Sequence, residues 1–163
     1  MNDYTVFQEN GLFGLKDHKG VVIISPQYIE MYDFSCGLSM VRNKQYQYAY
    51  IDIHNNQIVP FGKYSWLDPS FVCGFARVVY YDIAHKKEIW GIIDTLGNCV
   101  IPIEYDNIWP LKEEYFFSVK AFKGEKEELI NLHDIQNINI LDGLKYLHVY
   151  SVEEFKYLSN CKA

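Results

Sequence analysis

The sequence has no run approaching the ~20 apolar residues that a membrane-spanning helix requires. Its start, Met1-Asn2-Asp3-Tyr4-Thr5, has neither the basic stretch nor the apolar run of a secretory leader. A cytoplasmic protein with no membrane partner is the expectation. The four cysteines, Cys36, Cys73, Cys99 and Cys161, contain no C-x-x-C pair, and in the cytoplasm they are expected as thiols. No Gly-rich phosphate loop, Gly-x-Ser-x-Gly elbow or helical metal motif occurs, and the glycines stand singly at turns. These absences point away from an enzyme: no catalytic residue, cofactor or metal ligand is assigned. Basic residues are in deficit, 15 against 21 acidic for a net charge of -6. That balance speaks against a nucleic-acid partner, which wants a basic stripe, and is compatible with a basic protein partner.

What the chain does have is apolar and aromatic surface. It is 49% hydrophobic and 17% aromatic, with 14 Tyr and 10 Phe in 163 residues. That load opposes disorder and favours strands. The residues also repeat. Phe13-Gly14-Leu15-Lys16-Asp17-His18-Lys19-Gly20 runs on to Ile24-Ser25-Pro26-Gln27-Tyr28. Tyr48-Ala49-Tyr50-Ile51-Asp52-Ile53-His54-Asn55 runs on to Ile58-Val59-Pro60 and Tyr64. Trp90-Gly91-Ile92-Ile93-Asp94-Thr95-Leu96-Gly97 runs on to Val100-Ile101-Pro102-Ile103-Glu104-Tyr105. Self-similarity of this kind marks a repeat architecture.

Each repeat reads as a short strand ending in Asp, a turn, and an apolar return strand. The Asp side chain accepts hydrogen bonds from the turn backbone, and the Gly of Asp-x-x-Gly supplies a left-handed residue. In the second repeat Asn55 stands in the Gly place, and Asn is the other residue that tolerates this geometry. Proline is expected to stop the return strand at Pro26, Pro60 and Pro102. A Tyr follows, then an irregular segment ending in Phe34, Phe71 or Leu111. A third strand begins at Cys36-Gly37 and Cys73-Gly74 and at Phe116 in the third repeat. Cys36 and Cys73 are expected as small buried or half-buried packing residues rather than a redox pair. The fold class is all-β: a meander of antiparallel hairpins from about three repeats, with a short C-terminal helix. Inter-repeat twist decides between an open solenoid and a closed barrel-like or propeller-like form, and the sequence leaves both open.

The ends are atypical, as the ends of repeat arrays are. Tyr4-Thr5-Val6-Phe7 reads as the last strand of a missing repeat. Leu129-Ile130-Asn131-Leu132-His133-Asp134 reads as a decayed fourth strand and turn, with Asn131 and Asp134 in the Asp and Gly places. Leu147-His148-Val149-Tyr150 has the makings of a strand. Ser151-Val152-Glu153-Glu154 forms a capping box before a helix over 152–160. The division is residues 1–124 as repeat region and 125–163 as decayed repeat and cap, within a single compact domain.

The pattern Trp-Gly-x-Ile-Asp-x-x-Gly-x-x-Val-Ile-Pro-x-x-Tyr-Asp, nearly complete from Trp90 to Asp106, resembles the WG-repeat family over residues 10–122. The first repeat departs from it at Phe13 and Ser25, the second at Tyr48-Ala49. The resemblance implies a bacterial β-repeat protein with no shared catalytic residues. Short acidic bacterial members of repeat families are often immunity proteins, so it also suggests a toxin inhibitor.

Most chemistry-bearing residues have a structural explanation. Asp17, Asp52 and Asp94 belong to the turns, as do His18, His54 and His133, whose spacing suits no zinc site. What remains is aromatic and acidic: Tyr32, Trp66 and Trp109 in the irregular segments, and Glu113, Glu114, Glu127 and Glu128 in the densest acidic stretches. Trp and Tyr dominate binding hot spots, and a negative surface steers a basic partner. The expected function is a non-catalytic protein-binding module, most concretely an immunity protein meeting a basic toxin domain. The alternative is a carbohydrate- or cell-envelope-binding module, in which exposed Tyr and Trp stack on sugars.

Overall fold

A computed structural model describes residues 3–136. They form two compact units, the first ending at Phe71 and the second beginning at Val72. The first unit holds β1 (Tyr4–Glu9), β2 (Leu12–Asp17), β3 (Val22–Tyr28), β4 (Glu30–Met31), β5 (Ser39–Arg42), β6 (Tyr48–Ile51), β7 (Gln57–Val59) and β8 (Trp66–Leu67). The second holds β9 (Phe75–Asp82), β10 (Lys87–Asp94), β11 (Cys99–Tyr105), β12 (Asn107–Ile108), a 3-10 turn (Glu113–Tyr115), β13 (Val119–Lys123) and β14 (Lys126–Ile130). Residues 132–136 are helical. The all-β meander is therefore observed, while the expected strand at 147–150 and helix at 152–160 lie outside the described residues.

All pairings are antiparallel, and the strands of each sheet straddle a repeat boundary. The first sheet is β1-β2-β3 and the second is β4-β5-β6-β7. In the second unit β9, β10 and β11 run side by side, and β12-β13-β14 form the fourth sheet. In the second sheet, for example, β4 and β5 come from the first repeat and β6 and β7 from the next. The N-terminal strand β1 takes the place of a preceding repeat's third strand, as its sequence suggested.

The turns follow the Asp rule closely. Asp17 Oδ1 accepts from the N–H of Lys19 at 2.8 Å and of Val21 at 2.9 Å. Asp52 and Asp94 do the same two and four residues on. The left-handed residue is Gly20 (φ 83°), Asn55 (φ 65°) and Gly97 (φ 80°) in turn. A fourth copy was not read from the sequence. Asn43 Oδ1 accepts from Gln45 and Gln47 at 3.0 Å each, and Tyr46 takes the left-handed place at φ 62°. The Arg42 guanidinium lies 5.0 Å from the Tyr46 ring centroid and covers it.

Three expectations are corrected. Pro26 and Pro102 do not stop their strands; they lie within β3 and β11, in the stretch where register shifts between Phe13 and Leu15 and between Trp90 and Ile92. A bulge needs no ladder bond from the proline nitrogen, so the strand continues to Tyr28 and Tyr105. Cys36-Gly37 and Cys73-Gly74 do not begin strands. They are the central pairs of two-residue hairpin turns, left-handed at both positions (φ 51° and 80°, 50° and 87°), closed by Ser35 with Leu38 and by Val72 with Phe75. This is the type I′ geometry that matches strand twist. Cys36 is exposed, against expectation, whereas Cys73 is half-buried and packs against the second unit's core as expected. The third repeat's last strand begins at Val119, not at Phe116.

Each unit has its own core. Leu15, Ile24, Tyr28, Met31, Val41, Ala49 and Ile51 join the first two sheets. Phe75, Ile92, Ile101, Tyr105, Ile108, Val119, Ala121 and Ile130 join the sheet of β9–β11 to the fourth. The repeated Tyr carries a polar strut across each core. The Tyr28 hydroxyl donates to the Asn55 side chain, and the Tyr105 hydroxyl donates to Glu128 at 2.8 Å.

The Gly of the repeat is a close-approach residue. A Cβ on Gly91 would lie 2.8 Å from the Ile101 carbonyl oxygen and 2.7 Å from Ile103 Cγ1. Gly14 is likewise pressed against the Ile24 carbonyl. Where Ala49 replaces it, the return strand β7 has 3 residues, against 7 in β3 and β11. Gly91→Ala is therefore expected to destabilise the chain by about 1–3 kcal/mol through overpacking. Urea denaturation checks it, with an unchanged midpoint as the contrary result.

Candidate functional site: the open face and edge of the fourth sheet

The register aligns all four sheets, and one position stands out. Leu15, Tyr50 and Ile92 occupy the same place on β2, β6 and β10, each opposite the third strand at Val6, Met40 and Arg77. Their exposures are 1%, 1% and 0%. The counterpart on β14 is Leu129, opposite Lys120, and it is 64% exposed. Alternation along the strands puts Lys120, Phe122, Glu127 and Leu129 on the sheet face turned away from Ala121 and Ile130. Trp109, at 49% exposure, completes that face. Its N–H donates to the Lys120 carbonyl at 2.8 Å, and its ring centroid lies 6.2 Å from that of Phe122.

The surface is charged as well as apolar. Lys120 Nζ sits 5.0 Å from the Trp109 ring centroid and 2.8 Å from Glu127. Glu128 points to the core side, between the Tyr105 hydroxyl and Lys126, the latter at 2.6 Å. Glu113 and Glu114, in the exposed 3-10 turn, line an open depression of about 590 Å³ with Lys112. Eleven acidic and seven basic side chains fall in residues 72–136. Among the described residues, Glu113, Glu114 and Glu125 have no ion-pair partner.

The residues singled out in the sequence are thus distributed. Trp109 and Glu127 meet through Lys120 on the open face, and Glu128 lies on the opposite face of the same strand. Glu113 and Glu114 lie on the segment between β12 and β13. Tyr32, 40% exposed, belongs to the first unit. There it holds the place that Trp109 has in the second, its N–H donating to Met40 as that of Trp109 donates to Lys120. Trp66 is half-buried within β8 and out of register with both by two residues. Leu129, Phe122 and Lys120 were missed. The alignment of Asn131 with Asp94 already puts Leu129 in the place of Ile92, but only the burial of Leu15, Tyr50 and Ile92 makes its exposure stand out.

The other end of the array differs. On the first sheet, Lys16 stands where Ile51, Ile93 and Ile130 are buried, opposite Thr5, Ser39, Ala76 and Val119 in turn. Its ammonium lies 5.5 Å from the Phe7 ring centroid, and Val22 beside it is 50% exposed. A charge there opposes stacking of another sheet. Lys16→Ile is expected to leave the fold intact and promote self-association, seen as a concentration-dependent rise in mass by sedimentation.

Two carboxyls of this region titrate low. The Gly124 N–H, at 2.6 Å, and then Lys87, at 3.0 Å, hold Asp106 below its ordinary value. Lys126 and then Tyr105 do so for Glu128. As pH falls, the unfolded chain takes up these protons first, so the stabilisation is full above the ordinary carboxylate range and is lost as pH falls through the depressed folded values. The urea midpoint is expected to drop below about pH 4.5, and less steeply in Asp106→Asn. Equal slopes would refute this assignment.

Among the described residues no three His, Cys, Asp or Glu side chains converge as metal ligands would, and no helix is long and apolar enough to cross a membrane. No curated protein and no solved structure matches the chain. Three segments match the WG containing repeat, at residues 13–46, 48–82 and 90–120. With its Asp turns, its close-approach glycines and most of its length accounted for by these three copies, the chain belongs to the WG-repeat family.

Proposed function

We propose that this chain is a non-catalytic protein-binding module that takes its partner on the open face of the fourth sheet, and most concretely that it is an immunity protein blocking a cognate toxin in the cytoplasm. The observation that carries the binding reading is Leu129, 64% exposed where its three counterparts are buried. Covering a Leu side chain is worth about 1.5–3 kcal/mol, and Trp109 and Phe122 beside it supply the aromatic area typical of hot spots. The acidic side chains without ion-pair partners among the described residues, Glu113, Glu114 and Glu125, favour a basic partner by steering its approach. The carbohydrate alternative is the weaker reading, because Lys120 already covers a face of the Trp109 ring.

Co-expression with the toxic products of neighbouring genes tests the proposal. Protection by the wild-type chain, lost in a Trp109→Ala, Leu129→Asp double variant that still folds, is the expected outcome. Binding of a purified toxin domain should weaken by about tenfold or more in that variant, read by calorimetry. No protection against any neighbouring product would overturn the immunity role, and undiminished binding in the double variant would overturn the face.

A further inference from the structure

We propose that the outer edge of β14 accepts an extended segment of a protein partner, antiparallel to β14, in the place that β3, β7 and β11 fill in the other three sheets. The inference deepens the reading of the fourth sheet as the binding face and rests on it. In the first three sheets the strand carrying Leu15, Tyr50 or Ile92 runs through its Asp turn directly into a return strand. Among the described residues no return strand follows β14. Asn131 Oδ1 accepts from His133 at 3.1 Å and Asp134 at 3.3 Å, and residues 132–136 turn helical.

Among the described residues the outer edge of β14 has no partner strand. Lys123 and Lys126 flank a two-residue hairpin, so alternation turns the backbone N–H and C=O of Glu127 and Leu129 away from β13. Among the described residues nothing bonds to them. Among the described residues Leu129 thus combines an unpaired outer main chain with a side chain 64% exposed, the two requirements for adding a strand.

The three internal return strands say what fits. The residues opposite Leu15, Tyr50 and Ile92 are Ile24, Val59 and Ile101, 2%, 1% and 2% exposed. The partner segment therefore places a β-branched aliphatic residue opposite Leu129. The place of Gly14, Ala49 and Gly91 is held on β14 by Glu128. A side chain there goes with the short pairing of β7 rather than the long bulged pairing of β3 and β11. The fitting segment is consequently short, with the pattern of Gln57-Ile58-Val59 before Pro60.

A synthetic peptide copying His54–Gly62 is the probe, added to the isotopically labelled full chain. Saturable binding is expected, with slowed hydrogen exchange at the amide of Leu129. Methylating the peptide nitrogen of the valine that copies Val59, or Leu129→Asp in the protein, should each weaken binding by about tenfold or more. Absence of binding, or protection elsewhere than β14, would overturn the proposal. Protection of the Leu129 amide in the free protein would also do so: independent of concentration it would mean that residues 137–163 fill the edge, and rising with concentration, that a second copy does. A toxin domain that binds through Trp109 but leaves the β14 amides unprotected would refute the added strand alone and leave the binding face standing.

Discussion

The turn built on a side-chain oxygen is the interaction on which the rest depends. One carboxylate or amide oxygen takes the N–H groups two and four residues ahead, and a left-handed residue between them completes the reversal. Four copies, at Asp17, Asn43, Asp52 and Asp94, set the register of the hairpins they close. A slip of one residue would exchange Leu15 with Lys16, Tyr50 with Ile51 and Ile92 with Ile93 between the two faces of their sheets, and would put the Lys16 charge in the first core. The fourth sheet shows what happens when the turn is lost. Asn131 bonds two and three residues ahead, a helix cap rather than a hairpin. Asp134 does not adopt the left-handed conformation that Gly20, Asn55 and Gly97 adopt. That β14 is the last strand of its sheet among the described residues is therefore a consequence of a single turn going another way.

The residue before each Leu15-type position sets how far the return strand follows. With glycine the strand closes over the backbone and continues past proline to the repeated Tyr. With Ala49 it ends at Val59. Once it reaches that far, the Tyr is buried and its hydroxyl must be satisfied. Asn55 receives the Tyr28 hydroxyl, and Glu128 receives that of Tyr105. Asn55 thereby has two roles, a left-handed turn residue and an acceptor, and glycine would supply the first alone. Burial holds the Tyr28 phenol above its usual range, partly offset by the bond to Asn55.

Much of this fold was legible because turn chemistry is local. Asp-x-x-Gly, with Asn55 as the permitted exception, follows from what a left-handed residue tolerates. What was not legible depended on partners distant in sequence. Tyr46 in a left-handed place violates propensity, and the Arg42 side chain accompanies it. Cys-Gly reads poorly as a type I′ pair, because Asn or Gly is the usual first member. Proline looked like a strand stop because a bulge, which needs no donor there, comes from pairing rather than composition. For the site, the aromatic residues were visible but their exposure was not: Trp66 and Trp109 look alike in sequence, yet one lies within a strand and the other beyond the end of one. Leu129 drew no attention as one leucine among many. It gains meaning when its aligned counterparts are seen to be buried.

The two ends of the array solve the problem of an unfinished sheet in different ways. An exposed edge with apolar residues invites indiscriminate pairing between chains. On the first sheet, Lys16 replaces an inward aliphatic residue and seals the end face. On the fourth, the apolar residues are kept and charge is moved onto the strand itself: Lys126, Glu127 and Glu128 precede Leu129, paired with one another, with Lys120 and with Tyr105. An arriving strand must accommodate these groups without leaving any charge unpaired, which penalises most sequences. Such an edge is selective rather than merely open.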